Sequence, residues 1–359
     1  MARGFERVTQ YLQGEIDEGA FPGAQYVIGE GGEVIAEGSL GHAVVEPEAI
    51  PVTNSTIFDI ASLTKPLVTS MLAVILAERG KVDLSSRASE YLAELATVED
   101  KRSISVVQLL THTSGLQRWL PFFRELSDKG QMVQAIAASA LELNGSSPRA
   151  VTYSDLNYIL LGLLLERVTG ESLDRIAQRE IFTPLRLTRT FFNPADRLRR
   201  EIAATEIEAG EDGAAGKVTW GAVHDHNARF MGGVSGHAGL FSSSREVFKL
   251  ACQFLPGSKL VSDLSVALFT ENLTRGETSR SVAWVLGSSL DCSAGPALPP
   301  EAMGHNGFTG TSVWIDPIRK RVFVLLTNRL HRRPVVEVDM KLVRQRFNTL
   351  AVEELDQKK

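Results

Sequence analysis

Cysteine is nearly absent: the 359 residues hold two, Cys252 and Cys292. Two cannot form the framework of a disulfide-stapled scaffold, so they read as small buried apolar residues in a reducing compartment. Basic clusters are equally scarce. The net charge is −5, and only "RLRR" (197–200) and "HRR" (331–333) gather cations, which read as solvated surface. That balance argues against nucleic acid as a partner. Long apolar runs are missing too. "YILLGLLLERV" (158–168) falls short of the roughly 20 apolar residues of a membrane span and is broken by charge. Glu6, Glu15 and Asp17 sit where a signal peptide needs an apolar stretch. The expectation is a cytoplasmic protein with no membrane partner.

What is present suits a large globular core, with 43% hydrophobic and 23% charged residues. Phe5, Val8, Leu12 and Ile16 recur at helical spacing. "AQYVIGEGGEVIAEGSLGHA" (24–43) predicts two strands joined by a Gly-rich turn. A helical pattern starts near Ser62, with Gly80 as its stop, and further helices follow in 105–116, 131–143 and 156–170. Strand patterns return at 281–289, 311–317 and 321–329, and a helix over 335–355 closes the chain. The fold class expected is α+β: an antiparallel β-sheet flanked by N- and C-terminal helices, with a large helical insertion domain. Residues 1–61 and 240–359 would form the sheet domain and 62–239 the helical one, with the site at their seam.

"DIASLTKPLVTS" (59–70) sets Ser62 and Lys65 one helical turn apart, with Pro66 behind them. A proline in the first turn costs little, because the first N–H groups of a helix are unbonded. Serine becomes a useful nucleophile when a neighbour takes its proton, and a lysine can do so if held neutral. Taken alone, this spacing reads first as a plain helix start, with Ser62 as N-cap and a solvated Lys65.

Two more stretches extend the pattern. "VTYSDLNYILLG" places Tyr153 and Asp155 before an apolar helix, and "GHNGFTGTSVWIDP" places His305, Asn306 and Gly307 before a strand. In order and spacing these resemble the serine β-lactamase and penicillin-binding-protein superfamily, in its class C-like branch of esterases and peptidases. That family carries S-x-x-K, then Y-x-N, then K-T-G or H-x-G. "LLTHTSGL" (109–116) and "GHAGLFSS" (236–243) also look like family segments. The resemblance implies Ser62 as the acylated nucleophile and Lys65 and Tyr153 as the proton relay. It puts His305 across the pocket, where many relatives have a lysine. It makes the backbone N–H groups of Ser62 and Phe308 the oxyanion hole, and Gly307 a point of close substrate approach. Asn306, Asp155 and Trp119 are the remaining candidate substrate contacts, with Trp119 and the Phe308 ring as pocket walls. No metal or cofactor is called for.

Asp155 departs from the family pattern. An asparagine there can donate to a substrate amide carbonyl, whereas an ionised aspartate cannot. Its charge would also favour the ammonium form of Lys65. Alternatively, Asp155 caps the following helix. "VHDHNARF" (223–230) offers His224, Asp225 and His226, which with His237 could begin a metal site. The plainer reading is a loop bracing the pocket. "GVSGH" (233–237) misses the last position of a G-x-S-x-G elbow, which argues against an α/β-hydrolase. The sequence thus predicts a serine hydrolase acting through an acyl-enzyme on a small ester or amide, with carboxylesterase-type activity ahead of β-lactamase or D-amino-acid peptidase activity. A non-catalytic binding module that keeps the fold is the alternative from another class.

Overall fold

The computed structural model describes residues 5–142, 150–208, 217–274, 276–331 and 338–357. Their strands, in chain order, are β1 (Gly23–Glu30), β2 (Glu33–Val44), β3 (Ile50–Pro51), β4 (Phe58–Asp59), β5 (Phe191–Phe192), β6 (Glu206–Glu208), β7 (Lys217–Thr219), β8 (Leu240–Ser242), β9 (Val285–Leu286), β10 (Met303–Asn306), β11 (Ser312–Asp316) and β12 (Arg321–Thr327). Seven form one antiparallel sheet in the order β3-β2-β1-β12-β11-β10-β9. The first and last thirds of the chain therefore meet at the β1–β12 seam.

Side-chain alternation splits this sheet into two apolar faces. Tyr26, Ile28, Trp314, Phe323 and Leu325 face the terminal helices Glu6–Asp17 and Met340–Asp356, through Val8, Leu12, Phe347 and Leu350. Val27, Val313, Val324 and Leu326 point the other way, onto a larger core that holds the central helices. The α+β layout follows directly from this alternation. The closing helix begins at Met340, and residues 335–337 of its expected span lie outside the described ones. So do Arg332 and Arg333 of the second basic cluster, and Leu143 at the end of a predicted helix.

One strand expectation is corrected. The stretch 281–289 yields only the two-residue β9, because Ala283 takes φ +97° and Ser281 N–H bonds the Trp284 carbonyl in a tight turn. The helix after Ser62 also differs from a plain α-helix. It opens as a 3-10 turn over Ala61–Leu63, widens to a π-helix over Lys65–Ser70 and becomes α-helical over Met71–Glu78. Pro66 in its first turns gives a local reason, since it lacks the N–H that a regular ladder would use. Gly80, at φ +66°, stops it as predicted. By length and composition the run Ala61–Glu78 could cross a membrane, yet 83% of it is buried inside the protein. It is the core helix on which the site is built.

A second sheet, β4-β8-β5, lies just upstream of that helix. It fixes the chain entering Ser62: Phe58 and Asp59 pair with Ser242 and Phe241, and Ile60 N–H donates to the Leu240 carbonyl at 3.0 Å.

Candidate active site

Ser62 sits on the opening 3-10 turn, partly accessible, behind Ala61 at φ +48°. A left-handed alanine costs about 1 kcal/mol, and the surroundings hold it in place. Buried Asp59 accepts from Ala61 N–H and from His224 N–H, each at 2.8 Å. Burial pushes the Asp59 carboxyl up, against the pull of those two bonds.

Lys65 is fully buried and its ammonium group is fully engaged. Nζ donates to Ser62 Oγ at 2.9 Å and to the His237 carbonyl at 2.9 Å, and lies 2.6 Å from Asp155 Oδ1. The first two contacts are hydrogen bonds, and the third is an ion pair. Burial alone would lower its pKa, but the Asp155 carboxylate more than reverses this, aided by the Tyr153 phenol as a further hydrogen-bonding neighbour. Lys65 is held above the ordinary ammonium range. The His237 carbonyl reaches it because Gly236 lies against Gly162 of the helix Asp155–Thr169. A Cβ on Gly236 would stand 2.1 Å from the Tyr158 carbonyl oxygen.

Asp155 is the first residue of that helix, and the cap position belongs to Ser154. Its carboxylate goes to Lys65, so the helix-cap alternative does not hold. Tyr153 lies with its ring near two cations, Lys65 Nζ at 5.2 Å and Arg280 Cζ at 5.8 Å from the centroid. The His112 and His305 rings stand 4.6 and 5.8 Å from it. His112 ends the helix Val106–Thr111 at φ +59°, and its Nδ1 accepts from Ser154 N–H at 3.0 Å. His305 Nδ1 meets the Asn306 carbonyl at 2.9 Å, so Nδ1 carries the proton and Nε2 is free to accept. Burial, then the positive charges of Arg280 and Lys65, keep both imidazoles neutral well below the usual histidine range.

Strand alternation sends Asn306 to the opposite face from His305, where its Oδ1 accepts from Ser293 Oγ at 2.9 Å. Gly307, which lines the cavity, is needed for a further reason. A Cβ there would lie 2.0 Å from Thr311 Oγ1 and 2.7 Å from the Ile60 carbonyl oxygen, so the protein itself fills that space. Thr309 Oγ1 donates to the Asp59 carbonyl at 2.8 Å, and Thr311 Oγ1 to the Ile60 carbonyl at 3.1 Å. The loop bearing Phe308 is thus bolted to the chain that bears Ser62. Among the described residues, neither the Ser62 nor the Phe308 N–H donates to a protein acceptor. From the other side, Arg344 Nη2 braces the loop at the Gly307 and Thr311 carbonyls, at 3.2 and 3.3 Å.

The sequence reading missed several of these groups. Arg280 is 2% exposed and lines the cavity, yet no carboxylate meets it, and its Nε and Nη2 are unbonded among the described residues. Nothing near it in sequence marks it out. The candidate metal residues disperse. His224 Nε2 goes to Glu206 at 2.7 Å, Asp225 joins His237 Nε2 at 2.8 Å, and the His226 ring stacks on Phe123. Asp155, Asp225 and His237 do converge, each offering an atom within 4.8 Å of the others, but Asp155 there faces the Lys65 ammonium. The surrounding cavity measures about 1190 Å³ and is lined by Ser62, Tyr153, Asp155, His305, Trp119 and Phe308 among others.

Ser62 and buried Lys65 thus lie beside a tyrosine and face a β-strand histidine, and comparisons with known proteins place the chain in a family. The Beta-lactamase family profile matches residues 8–346, and the chain belongs to that family. A protein of Escherichia coli O157:H7 named "Putative D-alanyl-D-alanine carboxypeptidase" is 30% identical, over 91% of this chain and 83% of its own. Among solved structures, EstCE1, described as a hydrolase with promiscuous acyltransferase activity, superposes with a TM-score of 0.77 at 21% identity, covering 98% of this chain and 97% of its own. A class C beta lactamase from Rhodobacter sphaeroides gives 0.74 at 21% identity, over 97% and 99%. These two likenesses establish the β-lactamase/transpeptidase-type fold.

Proposed function

We propose that this protein is a serine hydrolase of the carboxylesterase type, which forms an acyl-enzyme on Ser62 from a small ester. The observation that carries this is the set of contacts made by Lys65 Nζ, with Ser62 Oγ at 2.9 Å and Asp155 Oδ1 at 2.6 Å. Ser62 Oγ attacks the ester carbonyl, and the oxyanion that develops takes the N–H groups of Ser62 and Phe308. Lys65 already holds all its protons. To receive one from Ser62 it must pass one on, and Tyr153 is the neighbour suited to relay it to the departing alkoxide. Water then enters, gives its proton back along the same path, and frees the acid. His305 supports the site as a neutral acceptor through Nε2. The carboxylate at position 155 favours esters over β-lactams, because it presents no N–H to a substrate amide.

A second reading, a carboxypeptidase acting on D-amino-acid peptides, is favoured by one observation. The unpaired guanidinium of Arg280 in the cavity suits a terminal carboxylate. A fluorophosphonate probe, followed by rates on p-nitrophenyl esters, D-alanyl-D-alanine peptides and nitrocefin, tests all of this. Labelling of wild type but not of Ser62→Ala, with ester turnover fastest, is the expected result. Peptide turnover above ester turnover would install the second reading. A folded wild type that takes no label would make the protein a binding module.

A further inference from the structure

The mouth of the cavity carries a feature that the acyl-enzyme chemistry does not use. Five rings from three distant stretches of chain follow one another around it. Trp119 lies 6.3 Å from Phe123, and Phe123 stacks on His226 at 4.9 Å. His226 stands edge-on to His224 at 6.3 Å, and His224 stacks on Phe308 at 5.7 Å. Trp119, His224, His226 and Phe308 all line the cavity that holds Ser62. The two ends of the arc are open to solvent, Trp119 at 45% and Phe308 at 59% exposure.

Plain core packing does not account for this arrangement. Large aromatic side chains left half exposed at a cavity rim give up the burial that normally stabilises them. Three of the rings are nevertheless held in place. His224 is tied to Glu206 at 2.7 Å, and Arg329 Cζ lies 5.2 Å over the Phe308 ring while its Nε bonds the Phe308 carbonyl. His226 opens the helix Asp225 caps, through a bond from Ala228 N–H at 2.8 Å. A fixed row of ring faces beside a nucleophile is a preorganised stacking surface, and preorganisation lowers the ordering cost of binding.

We infer that this arc is a subsite for an aromatic group of the substrate, so that the enzyme selects esters carrying an aryl ring over aliphatic esters of equal bulk. The inference rests on the hydrolase reading above. The ring could belong to the acyl part or to the alcohol, and the test separates the two. Ethyl phenylacetate is compared with ethyl cyclohexylacetate for the acyl arm, and benzyl acetate with cyclohexylmethyl acetate for the alcohol arm. Within each pair the apolar bulk is matched and only the flat π-face differs. A stacked pair contributes on the order of a several-fold to tenfold preference. We expect the aryl member to be favoured roughly tenfold in kcat/KM in one arm. That ratio should fall toward one in Trp119→Ala and in His226→Ala, and Trp119→Phe should restore part of it. A wild-type ratio near one in both arms, or a ratio that neither alanine variant changes, overturns the proposal. Calorimetric binding of the same four esters to Ser62→Ala reads the arc without turnover. Aryl preference there with no hydrolysis by wild type would sink the hydrolase reading and leave the arc standing. Equal binding alongside brisk ester turnover would do the reverse.

Discussion

Lys65 Nζ lies 2.6 Å from Asp155 Oδ1, and the pair is the most consequential departure from the sequence pattern of the family. It fixes the charge of the residue proposed to accept the serine proton. An opposite charge at this range moves a pKa by about 1–3 units, and here the direction is upward for Lys65. Asp155→Asn removes the charge while keeping an oxygen acceptor. The alkaline limb of the kcat/KM profile on an ester, where the ammonium is lost, should then move to lower pH by about one unit or more. A limb that stays in place would show that Lys65 does not set it.

Gly307 should tolerate nothing larger. Gly307→Ala forces a methyl group to within 2.7 Å of the Ile60 carbonyl, in the backbone that leads into Ser62. Overpacking of this kind costs about 1–3 kcal/mol. The melting temperature should fall accordingly. Fluorophosphonate labelling of the protein that remains folded should slow as well, since the Phe308 N–H moves relative to Ser62. Normal labelling with normal stability would mean the loop has slack that the distances do not suggest.

Acid should destabilise the fold earlier than carboxylates alone would require. Burial holds His331 down to about 4, and His112 and His305 also stay neutral well below the ordinary 6.5. The folded-state pKa values are depressed, so between the folded and unfolded values the unfolded chain binds more protons. Stability from these three residues is complete above about 6.5 and drains away as pH falls below it. Chemical denaturation across pH 8 to 5 should show this loss. In His331→Gln, which keeps an acceptor for Val45 N–H, the slope should be shallower.

Chelation should change nothing. The converging donors Asp155, Asp225 and His237 already have a cation beside them, the Lys65 ammonium. Prolonged EDTA treatment should leave ester hydrolysis intact, and added zinc should not raise it. Loss with EDTA and recovery with zinc would redirect attention to that triad.

The helix starts, the Gly stops and the alternation of β11 and β12 were legible in the sequence because they are local, with periods of 3.6 or 2 read directly from residue order. Ser62, Lys65, Tyr153 and His305 were legible through their motifs, and the fold brings them together. The remainder depended on contacts between distant segments. Arg280 belongs to no motif, and only the cavity shows it lining a wall without a counter-charge. Gly307 also has to clear the Ile60 backbone, a need that depends on residues 251 positions apart pairing through Thr311 and Ile60. The strand expected over 281–289 failed because Ala283 turns the chain at a point where β-propensity gives no warning.

Asp59 gives the protein a single hinge pin between reactivity and selectivity. One carboxylate oxygen anchors the turn that carries Ser62, and the other anchors the segment that supplies two rings of the rim. Changing the rim by swapping residues 223–230 would therefore pull on Ser62 through a bond that neither segment displays on the surface. Engineering of substrate preference here has to hold that bond constant, and single substitutions at Trp119 or Phe123, which lie outside it, are the places to begin.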